Sequence, residues 1–184
     1  MRTLIQAFRT KELRNKILFV LGMIIIYRIG SYIPAPGVDE TVVNNCVTQM
    51  SGNSENFIGL VNLFSGGAML QLSIFALGVM PYITASIVIQ LLRVVIPRFE
   101  ALHKEGQSGE AKLTQYTRYL TIGLALLQSS TIVVTAKSGA LFNYQCSGII
   151  PNDDVWTLIV MVLVMTDGTG LIMWMAELIT EKGI

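Results

Sequence analysis

Charge is scarce in this sequence, and it is withheld unevenly. Asp, Glu, Lys and Arg make up 14% of the 184 residues; none of them falls between Phe57 and Leu92, and neither Lys nor Arg falls between Ile29 and Leu92. A soluble domain carries about 25% charged residues, so a water-facing globular surface is excluded as the organising principle. His103 is the single histidine, which excludes a multi-histidine metal site and a catalytic histidine at bilayer depth. Neither a P-loop nor a dinucleotide fingerprint is present. With a formal net charge of +1 and basic residues grouped by loop, there is no phosphate-binding stripe and no specific nucleic-acid partner is expected. An aspartyl intramembrane protease needs two acids at depth, and the last apolar stretch offers one, Asp167. The chain is therefore not read as an enzyme, and no cofactor or metal is called for.

Apolar residues are abundant, at 52% of the chain with a mean hydropathy of +0.59. Four apolar stretches, 17–34, 70–92, 118–137 and 155–177, are each near the roughly 20 residues a helix needs to cross the hydrocarbon layer. Lipid tolerates only backbone whose hydrogen bonds are satisfied internally, so the expected fold is all-α and polytopic, with four transmembrane helices. Residues 1–16 form an amphipathic cytoplasmic segment, with Leu4, Ile5, Phe8 and Leu13 between basic residues, and 17–184 form the transmembrane domain. Basic residues before the first span and within the 93–117 loop place the amino terminus and that loop in the cytoplasm, with 31–68 and 138–154 outside. An even number of spans returns the carboxyl end of this chain to the cytoplasm. The first span lacks a small-residue cleavage site and is expected to be retained. Cys46 and Cys146 both fall in the external loops, where a disulfide is chemically allowed. No spacing rule brings these loops together, and unpaired thiols are the expectation.

The charge-free run 57–92 is too long for one span, so its early part is expected to be a separate re-entrant piece sheltered by protein. Residues 57–64 are apolar but too short to cross, and Ser65, Gly66 and Gly67 supply a flexible joint. Pro81, inside the second span, predicts a kink. Val79 and Ile83 are four apart and share a helical face, which by periodicity alone reads as helix packing. Thr84 and Gln128 are placed to hydrogen-bond between helices, Asp167 to do the same beside Gly168 and Gly170, and Arg28 to extend its head to the membrane interface.

Several motifs, in order, resemble the SecY family of protein-conducting channel subunits. They are Tyr27-Arg-Ile-Gly-Ser-Tyr-Ile-Pro-x-Pro-Gly37, Phe64-Ser-Gly-Gly-Ala68, Phe75-Ala-Leu-Gly-x-Met-Pro-Tyr-Ile-x-Ala-Ser-Ile87, Lys104-Glu-Gly-Gln-Ser-Gly109, Gln115-Tyr-Thr-Arg-Tyr119 and Met173-Trp-x-x-Glu-Leu-Ile-Thr-Glu-Lys-Gly-Ile184. The resemblance implies the amino-terminal part of a bacterial plasma-membrane channel for unfolded polypeptides, with four of ten spans. It implies a plug over about 57–72, including Phe64, Ser65, Gly66, Gly67, Ala68 and Met69. It further implies an aliphatic pore ring containing Val79 and Ile83, and a lateral gate lined by Thr84, Ile87, Val88 and Gln128. The implied partners are SecE and SecG in the membrane, the SecA motor and the ribosome, with signal sequences, unfolded polypeptides and membrane lipid as contacts. A small-solute transporter fragment and a purely structural membrane subunit remain the alternatives.

Overall fold

The computed structural model describes residues 10–50, 66–68, 70–140, 148–152 and 154–182. Among them are six helices, α1 (Lys11–Ser31), α2 (Glu40–Met50), α3 (Met80–Val95), α4 (Pro97–Lys104), α5 (Gln107–Lys137) and α6 (Val155–Lys182), and one isolated antiparallel bridge between Pro34 and Ser73. The fold is all-helical. α5 and α6 are each long and apolar enough to cross a membrane, with best-window mean hydropathies of 1.5 and 1.9.

α1 begins inside the segment expected to be a separate surface helix. Residues 11–16 are its first turns, while 1–9 lie outside the described residues. Charged side chains gather at its start, and Arg28 stands in its last turn. The helix stops at Ser31, whose hydroxyl donates to the Arg28 carbonyl at 2.7 Å, and Pro34 and Pro36 cannot extend it.

The second apolar stretch departs furthest from expectation. It does not become a helix at residue 70: residues 70–79 are successive turns, and α3 starts only at Met80. Pro81 stands in the first turn of α3, where its missing N–H is not needed, so it starts the helix and makes no kink in it. The sharp bend comes instead at Ile96 and Pro97, where α3 and α4 turn through 99°. A second proline at a helix start thus redirects the chain, because the residue before proline is driven to extended angles, as Ile96 is at φ −102° and ψ 113°.

α5 packs on α3, α4 and α6, and α6 also reaches α1 and α3. Small and polar side chains let α5 and α6 approach: Ala125, Ser129 and Ala136 are buried, and the Ser129 and Thr166 hydroxyls meet at 3.3 Å. At the far end the Arg118 guanidinium grips the Glu177 carboxylate through two bonds of 2.9 and 2.6 Å. That fork geometry fixes orientation as well as distance between the two helices.

Parts of the two loops, which no spacing rule brings together, meet in a shared core. Asp39 caps α2, its Oδ1 accepting from Thr41 N at 3.0 Å and Thr41 Oγ1 at 2.6 Å, while its own N–H donates to the Ile149 carbonyl at 3.0 Å. Those hydrogen bonds hold the Asp39 carboxyl below its ordinary pKa of 3.8, the Thr41 hydroxyl contributing most. Val43 and Cys46 of α2 pack with Ala35 and Ile149 in the main core. Cys46 is disulfide-bonded, which corrects the expectation of an unpaired thiol there. Cys146, the other cysteine of the chain, lies outside the described residues. Loop spacing was an unsuitable guide because packing of Val43 and Ile149 on a shared core, rather than sequence proximity, brings the loops together.

Candidate functional site

Residues 66–68 and 70–79 occupy the junction between α1 and α6 and carry their own system of backbone bonds. Ala35 N donates to the Leu72 carbonyl at 2.9 Å and Ile74 N to the Ile33 carbonyl at 3.1 Å, so the chain leaving α1 and the chain entering α3 clasp each other. Ser73 N closes a turn on the Ala68 carbonyl at 3.1 Å. Every polar backbone group paired this way is one fewer facing lipid, which is how non-helical chain is tolerated at such a place. Leu72 takes a left-handed φ of 48°, costly for a branched side chain, and is held there with its side chain fully buried.

Glycine permits the approaches. Gly66 and Gly67 have φ of 64° and 90°, conformations that L side chains rarely adopt. A side chain at Gly168 of α6 would overlap the Ile74 carbonyl, and one at Gly30 of α1 would overlap the Phe75 ring. Phe75 is thereby free to stack on Tyr27, with ring centroids 5.6 Å apart and planes 6° from parallel. Beside the rings, Arg28 Nη1 donates to the Gly66 carbonyl at 2.6 Å. Arg28, expected to extend to the interface, ties α1 to Gly66.

Below this junction lies an apolar cavity of about 230 Å³ between α1, α6 and the start of α3, lined by residues including Met23, Tyr27, Val79, Ile172 and Met175. Among the described residues no group of three or more His, Cys, Asp or Glu side chains is placed to hold a metal ion. The site has apolar walls, a positive anchor and a glycine joint.

The SecY family profile matches residues 73–184. The chain belongs to the SecY family. Similar curated proteins include the "Protein translocase subunit SecY" of Streptomyces scabiei, 61% identical over 181 residues, and that of Streptomyces coelicolor, 59% identical over 181 residues. The protein of that name from Mycobacterium tuberculosis is 56% identical over 181 residues. The alignments take in 97–98% of this chain and 41% of each of these relatives, so the chain spans about two-fifths of their length.

Of the residues the SecY resemblance singles out, Gly66, Gly67 and Ala68 lie at the junction, with Ala68 fully buried beside Phe75 and Ile172. Phe64, Ser65 and Met69 lie outside the described residues. Leu70 and Leu72, at the end of the 57–72 range, belong to the main core. Val79 lines the cavity and Ile83, one turn on, is 45% exposed. Ile87 is exposed on the same helix and Val88 is half-buried.

Thr84 and Gln128 make no hydrogen bond to each other: the Thr84 hydroxyl returns to the Met80 carbonyl of its own helix at 2.9 Å. Local i to i−4 bonding satisfies the hydroxyl without a second helix. Asp167 likewise departs from the expected interhelical role, being exposed and outside the cavity lining, while its neighbours Thr166, Gly168 and Thr169 are buried. Sequence reasoning missed the Arg118–Glu177 pair and the Arg28–Gly66 bond. Both lie within quoted motifs, but separations of 59 and 38 residues left no local signal.

Proposed function

We propose that this chain forms part of the protein-conducting channel for Sec-dependent translocation of unfolded polypeptides across, and insertion into, the bacterial plasma membrane. The observation that carries the reading is a glycine-jointed, non-helical segment anchored by Arg28 beside an apolar cavity that Val79 lines. Aliphatic walls at a constriction offer a passing chain no fixed hydrogen-bond partner, and they restrict ions and water when closed. Val79 and Ile83 are assigned to the pore ring, residues of about 57–72 to the movable plug, and Thr84, Ile87, Val88 and Gln128 to the lateral gate. The mechanism is passive: a signal sequence parts the gate helices, the plug leaves its seat, and no bond is made or broken.

In this reading the four spans are 17–34, 70–92 with its helix starting at Met80, 118–137 and 155–177. Loop charge puts both ends of this chain and the 93–117 loop in the cytoplasm. SecE and SecG are the membrane partners, and the SecA motor or a translating ribosome supplies the driving energy. The outward position of Asp167, away from the cavity, weighs against a transporter, which would gather polar groups around a substrate at the midplane.

The test uses the full-length channel with its partners in proteoliposomes. Deleting 57–67 leaves Leu70 and Leu72 in the core, and it is expected to raise closed-state ion conductance and relax discrimination against defective signal sequences. Unchanged conductance and unchanged discrimination in a folded deletion, with no neighbouring segment in the vacated site, would reject the assignment.

A further inference from the structure

Arg28 is the only Lys or Arg between Lys16 and Arg93, and it stands in the last turn of α1. Among the described residues no carboxylate pairs with it, and the acceptor its guanidinium takes is a backbone carbonyl, that of Gly66 at 2.6 Å. The contact is built from both sides. A side chain at Gly66 would come within 3.2 Å of Arg28 Nη1 and 3.8 Å of the Tyr27 ring, and the φ of 64° there is one that glycine adopts readily. On α1, the Ser31 hydroxyl donates to the Arg28 carbonyl and Tyr27 stacks on Phe75, so the turn that carries the guanidinium is itself fixed.

The hold on the chain changes abruptly across Gly67. On the far side Ala68 is fully buried, its carbonyl accepts from Ser73 N at 3.1 Å, Phe75 fills the gap at Gly30, and Leu72 and Ile74 bond to Ala35 and Ile33. Among the described residues, Gly66 is joined to another element by the Arg28 bond alone. Gly67, between the two, has nothing within 4 Å of the place a side chain would take. We propose that Arg28 is the positioning residue that latches the plug: its bond to Gly66 holds the closed arrangement, and breaking that bond lets the chain swing about Gly67. Ala68 and the turns after it stay in place. The latch rests on the channel reading above. A hydrogen bond to a charged group shifts an equilibrium by about tenfold, enough to keep an idle channel shut and small enough for an arriving signal sequence to overcome.

The experiment uses the full-length channel with its partners in proteoliposomes, and reads closed-state openings per folded channel together with translocation of a substrate whose signal sequence is defective. Arg28→Met removes the donor, and Arg28→Gln leaves one on a stem too short to reach. Both are expected to raise the openings about tenfold and to admit the defective substrate. Arg28→Lys keeps a cationic donor, and because the contact is a single bond and not a fork, it should restore most of the closed state. In a channel lacking 57–67, where Gly66 is gone, Arg28→Met should add nothing further. If that deletion raises the openings while Arg28→Met and Arg28→Gln do not, the latch is rejected and the channel reading stands; if the deletion leaves them unchanged as well, both fall. An Arg28→Met effect that persists in the deletion, an Arg28→Lys channel as leaky as Arg28→Met, or a loss of folded protein with parental openings in the remainder would each overturn the latch.

Discussion

Residues 70–79 and α3 are almost alike in composition and opposite in structure. Both are charge-free until Arg93, and both are rich in Leu, Ile, Val and Ala. Yet 70–79 are turns with most side chains buried, whereas α3 is a regular helix with Ile83, Ile87, Leu91 and Val94 exposed. Hydrophobicity therefore does not separate them. Backbone does: the Leu72 carbonyl and the Ile74 N–H find their partners in Ala35 and Ile33, across a long sequence gap, while α3 satisfies its own from Val79 onward. A segment of the first kind draws part of its backbone pairing from a distant strand of chain, and one of the second kind can shift as a unit.

The comparison breaks most readily at Gly168. Its Cα faces the Ile74 carbonyl with no room for a side chain, so Gly168→Val should push residues 70–79 off α6 and cost more than about 3 kcal/mol, in the range of severe overpacking. Loss of monodisperse protein after detergent extraction would show it. Gly170→Ala, two residues on and with nothing within 4 Å of the added carbon, should be neutral or slightly stabilising. Equal damage from both would mean that helix α6 itself, and not its contact with Ile74, is sensitive.

A smaller effect separates Leu72 from Ile83. Leu72→Ala empties a fully buried position and should cost about 2–5 kcal/mol, seen as a lower melting temperature of the purified channel. Ile83→Ala, at a 45% exposed position, should cost less than about 1 kcal/mol. Comparable losses would show that α3 is as firmly packed as the turns before it.

The smallest effect belongs to the rim of the buried region, at the exposed cap of α2. Because its hydrogen bonds depress the folded-state pKa of Asp39 below 3.8, its ionised form stabilises the fold above that value, and the contribution disappears as pH falls through the depressed pKa. Asp39→Asn should therefore be marginally less stable than the parent at neutral pH, and the difference should vanish in acid. A difference that persists unchanged at low pH would assign the effect to geometry, not to charge.

Composition alone determined that the chain is an all-helical membrane protein, because scarce charge and long apolar runs leave no other way to satisfy the backbone. Short motifs carried the family, since Gly66, Gly67 and Pro81 are local requirements that residue type announces. α2 went unread in a polar loop, although Asp39 as a cap and Val42, Val43, Cys46 and Val47 at helical spacing were signals for it. Only the tertiary structure decided that α3 begins at Met80, that Arg28 holds Gly66, that Arg118 meets Glu177, and that Asp167 faces outward. Hydropathy averages side chains along the chain and carries no record of partners 38 or 59 residues away. In a segment whose side chains are uniformly apolar, the choice between helix and turns falls to those distant backbone partners and to the glycines that let them approach.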